Sequence, residues 1–285
     1  MTQQYLPNSN YLLPYKEAEI RRLRLQHDLI QSYMGGLILA PINLEQRGLK
    51  ILDSGTFDGF WLAEASKLVT EPILVGADIS PTMFPTSSSG STGELSFHVQ
   101  SVTEPWPETW KGTFDLVHQR LVLAGTTPEV GKNAVRGLVE LAKSGSGYVQ
   151  LVEGALEHLT DEQKLKYPVL HRFQTLVARM LPGLGWNQRV GLQVREWLEA
   201  EGLQGVSEKI MEIPVGVASL DRRLGDIAKQ NLLEVVEHFA MAAKGLPDDP
   251  NIQAQDFEDV LREIKVEVDT VGSLLRFNAV WGRRP

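Results

Sequence analysis

Apolar positions recur along this chain with two periods, and the places where the period changes mark its elements. From Lys16 to Met34, Ile20, Leu23, His27, Ile30 and Met34 fall at alternating spacings of three and four, which predicts one face of a helix. Gly35-Gly36 then ends it. The runs at 50–52 and 73–77 are continuously apolar, as in strands buried on both faces, whereas Leu95 to Gln100 alternates and predicts an edge strand with one wet face. Phe114 to His118 and Gly147 to Glu153 are the fourth and fifth strands, with a helix from Glu129 to Lys143 between them. A helix at about 190–201, a strand from Gly205 to Ile213 and a last strand at about 275–281 complete the series. Strand and helix alternate through the first five strands, which argues for an α/β fold with a doubly wound sheet of seven strands.

Two helical insertions interrupt this alternation. One spans 156–189 and is broken at Pro182-Gly183. The other spans about 219–271, with one stripe at Leu220, Leu224, Ile227, Val235 and Phe239 and another at Phe257, Leu261, Ile264, Val268 and Val271. The expected organisation is therefore an N-terminal helical lid over 1–45, a core over 46–155, the first insertion, and the end of the core over 190–285 carrying the second. Residues 1–15 are polar and punctuated by proline, and Thr86 to Gly93 is a low-complexity surface connection.

The stretch from Lys50 to Leu68 organises the rest. An apolar run ends in Asp53, a loop with Gly55 and Gly59 follows, and a helix begins at Phe60. Such a turn lets backbone N–H groups and a helix N-terminus face a ligand beyond the strand's carboxyl end. Further on, Ile73 to Asp78 is a second buried strand ending in an acid, and a carboxylate there can accept from both hydroxyls of a ribose.

Composition narrows the chemistry. The chain has 285 residues, 42% of them hydrophobic, a net charge of −8 and no Lys/Arg run longer than a pair, so nothing suggests a nucleic-acid partner. There are no cysteines, which removes disulfides, thiolate metal sites and thiol nucleophiles. A metal-free intracellular protein is expected. The first residues lack the basic and apolar regions of a secretion signal, and no apolar stretch approaches about eighteen residues, so a cytoplasmic, non-membrane protein is the expectation.

Asp53-Ser-Gly55-Thr-Phe57-Asp-Gly59 resembles the first motif of class I S-adenosylmethionine (SAM) methyltransferases, and Gly76-Ala-Asp78-Ile79-Ser80-Pro81 resembles their second. Leu13-Pro14, Glu19, Arg22 to His27, Phe114 to Arg120 and the terminal Trp281 to Pro285 are similar to methyltransferases of fungal secondary metabolism. The resemblance covers nearly the whole chain. It implies a Rossmann-like fold with helical lid insertions, SAM as cofactor, S-adenosylhomocysteine (SAH) as product and a small-molecule acceptor methylated most readily at oxygen. N- or S-methylation, a SAM-binding pericyclase-like enzyme using the sulfonium charge, and a non-catalytic regulator of the same fold are the alternatives.

The resemblance also assigns residues. Tyr11, Gln26, Asp53, Gly55, Gly59, Asp78, Ile79, Ser101, Val102 and Gln119 are expected to bind the cofactor, with Ser101 where the family commonly has an acid near the adenine amino group. Arg120 and Trp186 are expected to bind the acceptor. His118 and Glu153, at neighbouring strand ends, are the candidates for a catalytic base near the methyl group, although either could be structural. His98 is expected to be solvated, and His158 and His171 match no zinc spacing. Trp106 and Trp110 read as packing anchors rather than adenine stackers.

The middle position of the first motif departs from the family, because Phe57 stands where a glycine is usual. With φ below zero its ring would point away from the cofactor; in the space a glycine leaves free, it would block the methionine tail.

Overall fold

The computed structural model describes residues 17–85, 94–245 and 253–285. Tyr11 and the 86–93 connection lie outside them. Seven strands form one sheet: β1 (Lys50–Ser54), β2 (Ile73–Asp78), β3 (Glu94–Val99), β4 (Leu116–Arg120), β5 (Tyr148–Gly154), β6 (Gln204–Val215) and β7 (Ser273–Arg283). Their order is β3-β2-β1-β4-β5-β7-β6, with β1 to β5 parallel and β7 antiparallel to both its neighbours. The order reverses between β1 and β4, and a crevice opens beyond the strand ends at such a switch point.

Eight α-helices accompany the sheet among the described residues: α1 (Glu17–Met34), α2 (Phe60–Ala65), α3 (Pro128–Leu141), α4 (Asp161–Lys166), α5 (Pro168–Met180), α6 (Val190–Ala200), α7 (Arg222–Ala243) and α8 (Ala254–Thr270). Their starts follow from local chemistry. Thr127 accepts the Val130 N–H ahead of Pro128 at the start of α3, Thr160 and Gln163 form a reciprocal cap on α4, and Asp221 caps α7. Gly35, in the left-handed conformation, ends α1 as expected, and the Lys209 ammonium donates to the Met34 carbonyl at 2.8 Å.

The core has three parts. Leu52, Val117, Val149 and Leu151 pack against α3 and α6 on one face of the sheet, while Ile51, Leu74 and Leu116 pack against α2 and the 37–49 segment on the other. The third part joins α1, α5, α7 and α8 to Val152, Ile213, Val215 and Phe277. The two insertions and α1 thus share one apolar core next to the carboxyl ends of β5 and β6. Gln150, fully buried, roots the chain that follows α1: its Oε1 accepts the N–H groups of Leu39 and Ala40, and its Nε2 donates to the Leu37 carbonyl. Among the described residues no helix is long and apolar enough to cross a membrane.

The fourth strand differs from its expected bounds. Phe114 makes only an isolated bridge to Ala142, and the strand runs from Leu116 to Arg120. His118 therefore sits inside the strand and not at its carboxyl end.

Candidate active site

The loop after β1 closes on β2. The N–H groups of Gly55 and Thr56 both donate to the Ala77 carbonyl, and the Phe57 N–H donates to Asp78 Oδ2 at 2.9 Å. Asp78 Oδ1 accepts the Ser80 N–H at 3.0 Å, so one carboxylate ties the glycine loop to the turn after β2. Burial pushes its pKa up, and the backbone N–H groups partly offset this. An ionised carboxylate has about four acceptor sites, which leaves Asp78 capacity for further donors.

Gly55 and Gly59 have φ of +71° and +74°, a region that favours glycine. Space reinforces conformation: a Cβ on Gly55 would lie 2.3 Å from Val122 Cγ2, and one on Gly59 would lie 2.6 Å from the Phe97 ring. Phe57 also has a positive φ, +53°. The condition of a negative φ is therefore not met, because this loop follows the glycine path even where the residue carries a side chain. A left-handed non-glycine residue of this kind costs about 1–2 kcal/mol.

At the end of β1, Asp53 is 3% exposed and its Oδ1 lies 2.7 Å from His118 Nδ1. A carboxylate only accepts, so Nδ1 carries the proton and donates. The other oxygen of Asp53 has no hydrogen-bond partner among the described residues. Trp61, on α2, lies flat on the His118 ring with centroids 3.7 Å apart and planes 6° apart. Burial holds the His118 imidazole below its ordinary pKa, partly offset by Asp53.

The pairing of strands decides which residues share a face. Asp53 lies opposite His118, and His118 opposite Gln150. Glu153, three residues beyond Gln150, therefore points to the opposite face of the sheet from His118. The two candidate bases are not brought together. Glu153 is fully buried, and its Oε1 accepts the N–H groups of Val122 and Leu123 at 3.0 and 2.9 Å, holding the loop after β4. Desolvation raises its pKa to about 7. Gln119 is likewise buried, its Oε1 accepting from Ser54 Oγ at 2.9 Å.

Arg120, at the end of β4, reaches Nδ1 of His27 on α1 at 3.2 Å and forms no ion pair among the described residues. Burial lowers its pKa to about 10 despite the field of Asp53. His27 packs edge-on against Phe60, and Arg24 stacks over the same ring while bonding Asp58 at 2.7 Å. In this way α1 is clamped onto the loop between Asp58 and Phe60.

Other sequence-predicted residues fall elsewhere. Gln26 points at Asn231 on α7 at 3.5 Å, so it joins two helices where cofactor contact was expected. Ile79, 45% exposed, projects just past Asp78, and Ser101 and Val102 follow the end of β3, with Ser101 Oγ engaged by Thr103. Trp186 packs half-buried against the helical core. Trp106 is buried in the core beside Trp110, and His98 is exposed, as expected. A cleft of about 620 Å³ between α5 and α8, lined by His171, Arg172 and Arg179, carries none of the motif residues.

Comparison with known proteins decides the family. The N-methyltransferase gliN of Aspergillus fumigatus is 56% identical over 282 residues, covering 98% of this chain and 99% of that protein. The chain belongs to the SAM-dependent methyltransferases of fungal secondary metabolism. The N-methyltransferase sirN of Leptosphaeria maculans is 55% identical over 280 residues, covering 98% and 96%. No family model matches the chain. The fold is shared with phosphoethanolamine N-methyltransferase 2 of Haemonchus contortus, solved with phosphomonomethylethanolamine and SAH, at TM-score 0.51 and 13% identity over 97% of this chain and 55% of that one.

For a methyltransferase, the sequence reading missed Trp61, Arg24, Phe60 and Gln150. Trp61 and Phe60 stood in the quoted motif stretch, but a helix that follows a glycine turn does not announce which of its side chains turn back toward the sheet.

Proposed function

We propose that this enzyme transfers the methyl group of SAM to a nitrogen atom of a small-molecule acceptor. The observation that carries the choice of nitrogen over the expected oxygen is the naming of both gliN and sirN as N-methyltransferases, at identities above half and over nearly the full chain.

The residues at the switch point fit the cofactor. Asp78 has spare acceptor capacity for the ribose hydroxyls, Ile79 offers an exposed apolar side chain to the adenine, and Ser101 and Val102, just past the end of the neighbouring strand β3, are assigned to its other side. The open oxygen of Asp53 suits the methionine ammonium, with the backbone of the Gly55–Gly59 loop alongside. SAM supplies the activated methyl group, and the protein's part is to orient the two reactants and exclude water. Arg120 and Trp186 are assigned to the acceptor in this reading, and the spare N–H donors of Arg120 suit an oxygen atom of the acceptor. The clamp of α1 on Asp58 and Phe60 supports a lid role for the N-terminal helix. His118 and Glu153 act in this reading as supports: His118 Nδ1 holds Asp53, Glu153 Oε1 holds the loop after β4, and the remaining polar atom of each is buried.

Incubation with methyl-¹³C SAM and acceptors bearing amine, amide and hydroxyl groups tests the proposal by NMR of the products. A label on nitrogen with SAH formed is expected; label confined to oxygen or sulfur would overturn it.

A further inference from the structure

We infer that Trp61 and His118 are positioning residues which set the direction of the Asp53 carboxylate toward a cationic ligand at the end of β1. The inference rests on the proposed reading of Asp53 as the partner of the cofactor's ammonium, and adds to it the two residues that orient the acid.

Three facts converge. First, the imidazole cannot turn: it is 1% exposed, inside β4, and covered on one side by the Trp61 indole at 3.7 Å with nearly parallel planes. Second, its Nδ1–H is committed to Asp53 Oδ1, so the ring fixes one carboxylate oxygen and thereby the direction of the other, which has no protein partner among the described residues. Third, Nε2 is buried without a hydrogen-bond partner. A nitrogen sealed in this way has no route to an acceptor proton. A base would need the opposite arrangement, with the free nitrogen open to substrate.

The stack also explains why an aromatic residue follows Phe60 at the start of α2. Gly59, in the left-handed conformation, begins the helix directly after the glycine loop. Phe60 then meets α1 while Trp61 turns under the sheet, so adjacent aromatics hold the lid clamp and the acid's support. Disturbing Trp61 should therefore be felt at Asp53, on another element, through the ring between them. Preorganisation of this kind strengthens binding by removing freedom that the ligand would otherwise have to freeze.

The test measures SAM affinity by calorimetry and kcat at saturating SAM for four variants. His118→Asn keeps a donor near the Nδ1 position and Trp61→Phe keeps a flat ring; both should hold the Kd within about threefold of wild type. His118→Leu and Trp61→Leu should each raise it at least tenfold while kcat at saturating SAM stays within about threefold. ¹⁵N NMR of labelled histidine should show the Nδ1–H tautomer for His118, and this reading stands even if the Leu variants fail to fold. Folded Leu variants with unchanged Kd, an Nε2–H tautomer, or a kcat collapse in His118→Asn would each overturn the inference. Wild type without SAM affinity would overturn the cofactor reading beneath it, a separate outcome.

Discussion

Arg120 Nη2 lies 3.2 Å from Nδ1 of His27, and because a guanidinium only donates, His27 accepts through Nδ1 and carries its proton on Nε2. The contact joins the end of β4 to α1 and keeps the imidazole neutral. Burial first, and the Arg120 charge second, lower the His27 pKa to about 4. An unfolded chain takes up that proton at about 6.5, so the unfolded state binds more protons between these values. The stability from His27 is complete above pH 6.5 and is lost as pH falls toward 4, by roughly 3 kcal/mol in total.

Glu153 has the opposite sign. Its pKa rises from 4.5 to about 7 on folding, so the folded state holds the extra proton, and this contribution is complete below pH 4.5 and lost as pH rises through 7. Between 4.5 and 6.5 the two slopes oppose each other. Measured relative to wild type, Glu153→Gln, which keeps an acceptor for Val122 and Leu123, should gain stability from pH 5 to 6.5. His27→Gln should lose stability relative to wild type over the same range. Urea melts at three pH values check all three curves; parallel curves would remove both assignments.

Asp78 binds two backbone N–H groups before any ligand arrives. Asp78→Ala is expected to weaken SAM binding by roughly 2–4 kcal/mol, the cost of losing a charged hydrogen-bonding partner together with the loop it holds. Calorimetry showing wild-type affinity would take Asp78 out of the site.

The contact between Gly55 and Val122 offers a paired test. Gly55→Ala should destabilise by about 1–3 kcal/mol through overpacking, with a further cost from its positive φ. Val122→Ala in the same chain should recover the packing part. Additive losses in a thermal double-mutant cycle would show that the two side chains do not meet.

Phe57→Gly should relieve about 1–2 kcal/mol of backbone strain and change SAM affinity by less than about tenfold. The loop already follows a glycine path at this position, so its hydrogen bond to Asp78 persists. If wild type gave no binding heat and Phe57→Gly bound well, the phenylalanine ring would be the block.

Much of the fold is legible in the sequence because burial on two faces and burial on one write different patterns. The continuous runs of β1 and β2, the alternation of β3 and the three-and-four spacing of α1 each follow from that difference. The site is less legible. A two-residue shift in the bounds of β4 carried His118 from the strand end to its interior, and the odd spacing between Gln150, its neighbour on β5, and Glu153 sets the two candidate bases on opposite faces. The direction of Gln26 toward Asn231 depends on how α1 packs on α7, which no local pattern records. At Phe57 the loop geometry overrode the side chain's own preference, and nothing in the residue itself signals that outcome.

The most direct measurement is the crystal structure of this enzyme with SAH. The account predicts the ribose hydroxyls on Asp78, the ammonium at the open oxygen of Asp53 and the adenine beside Ile79. SAH on the amino-end face of the sheet, or in the cleft between α5 and α8, would contradict it.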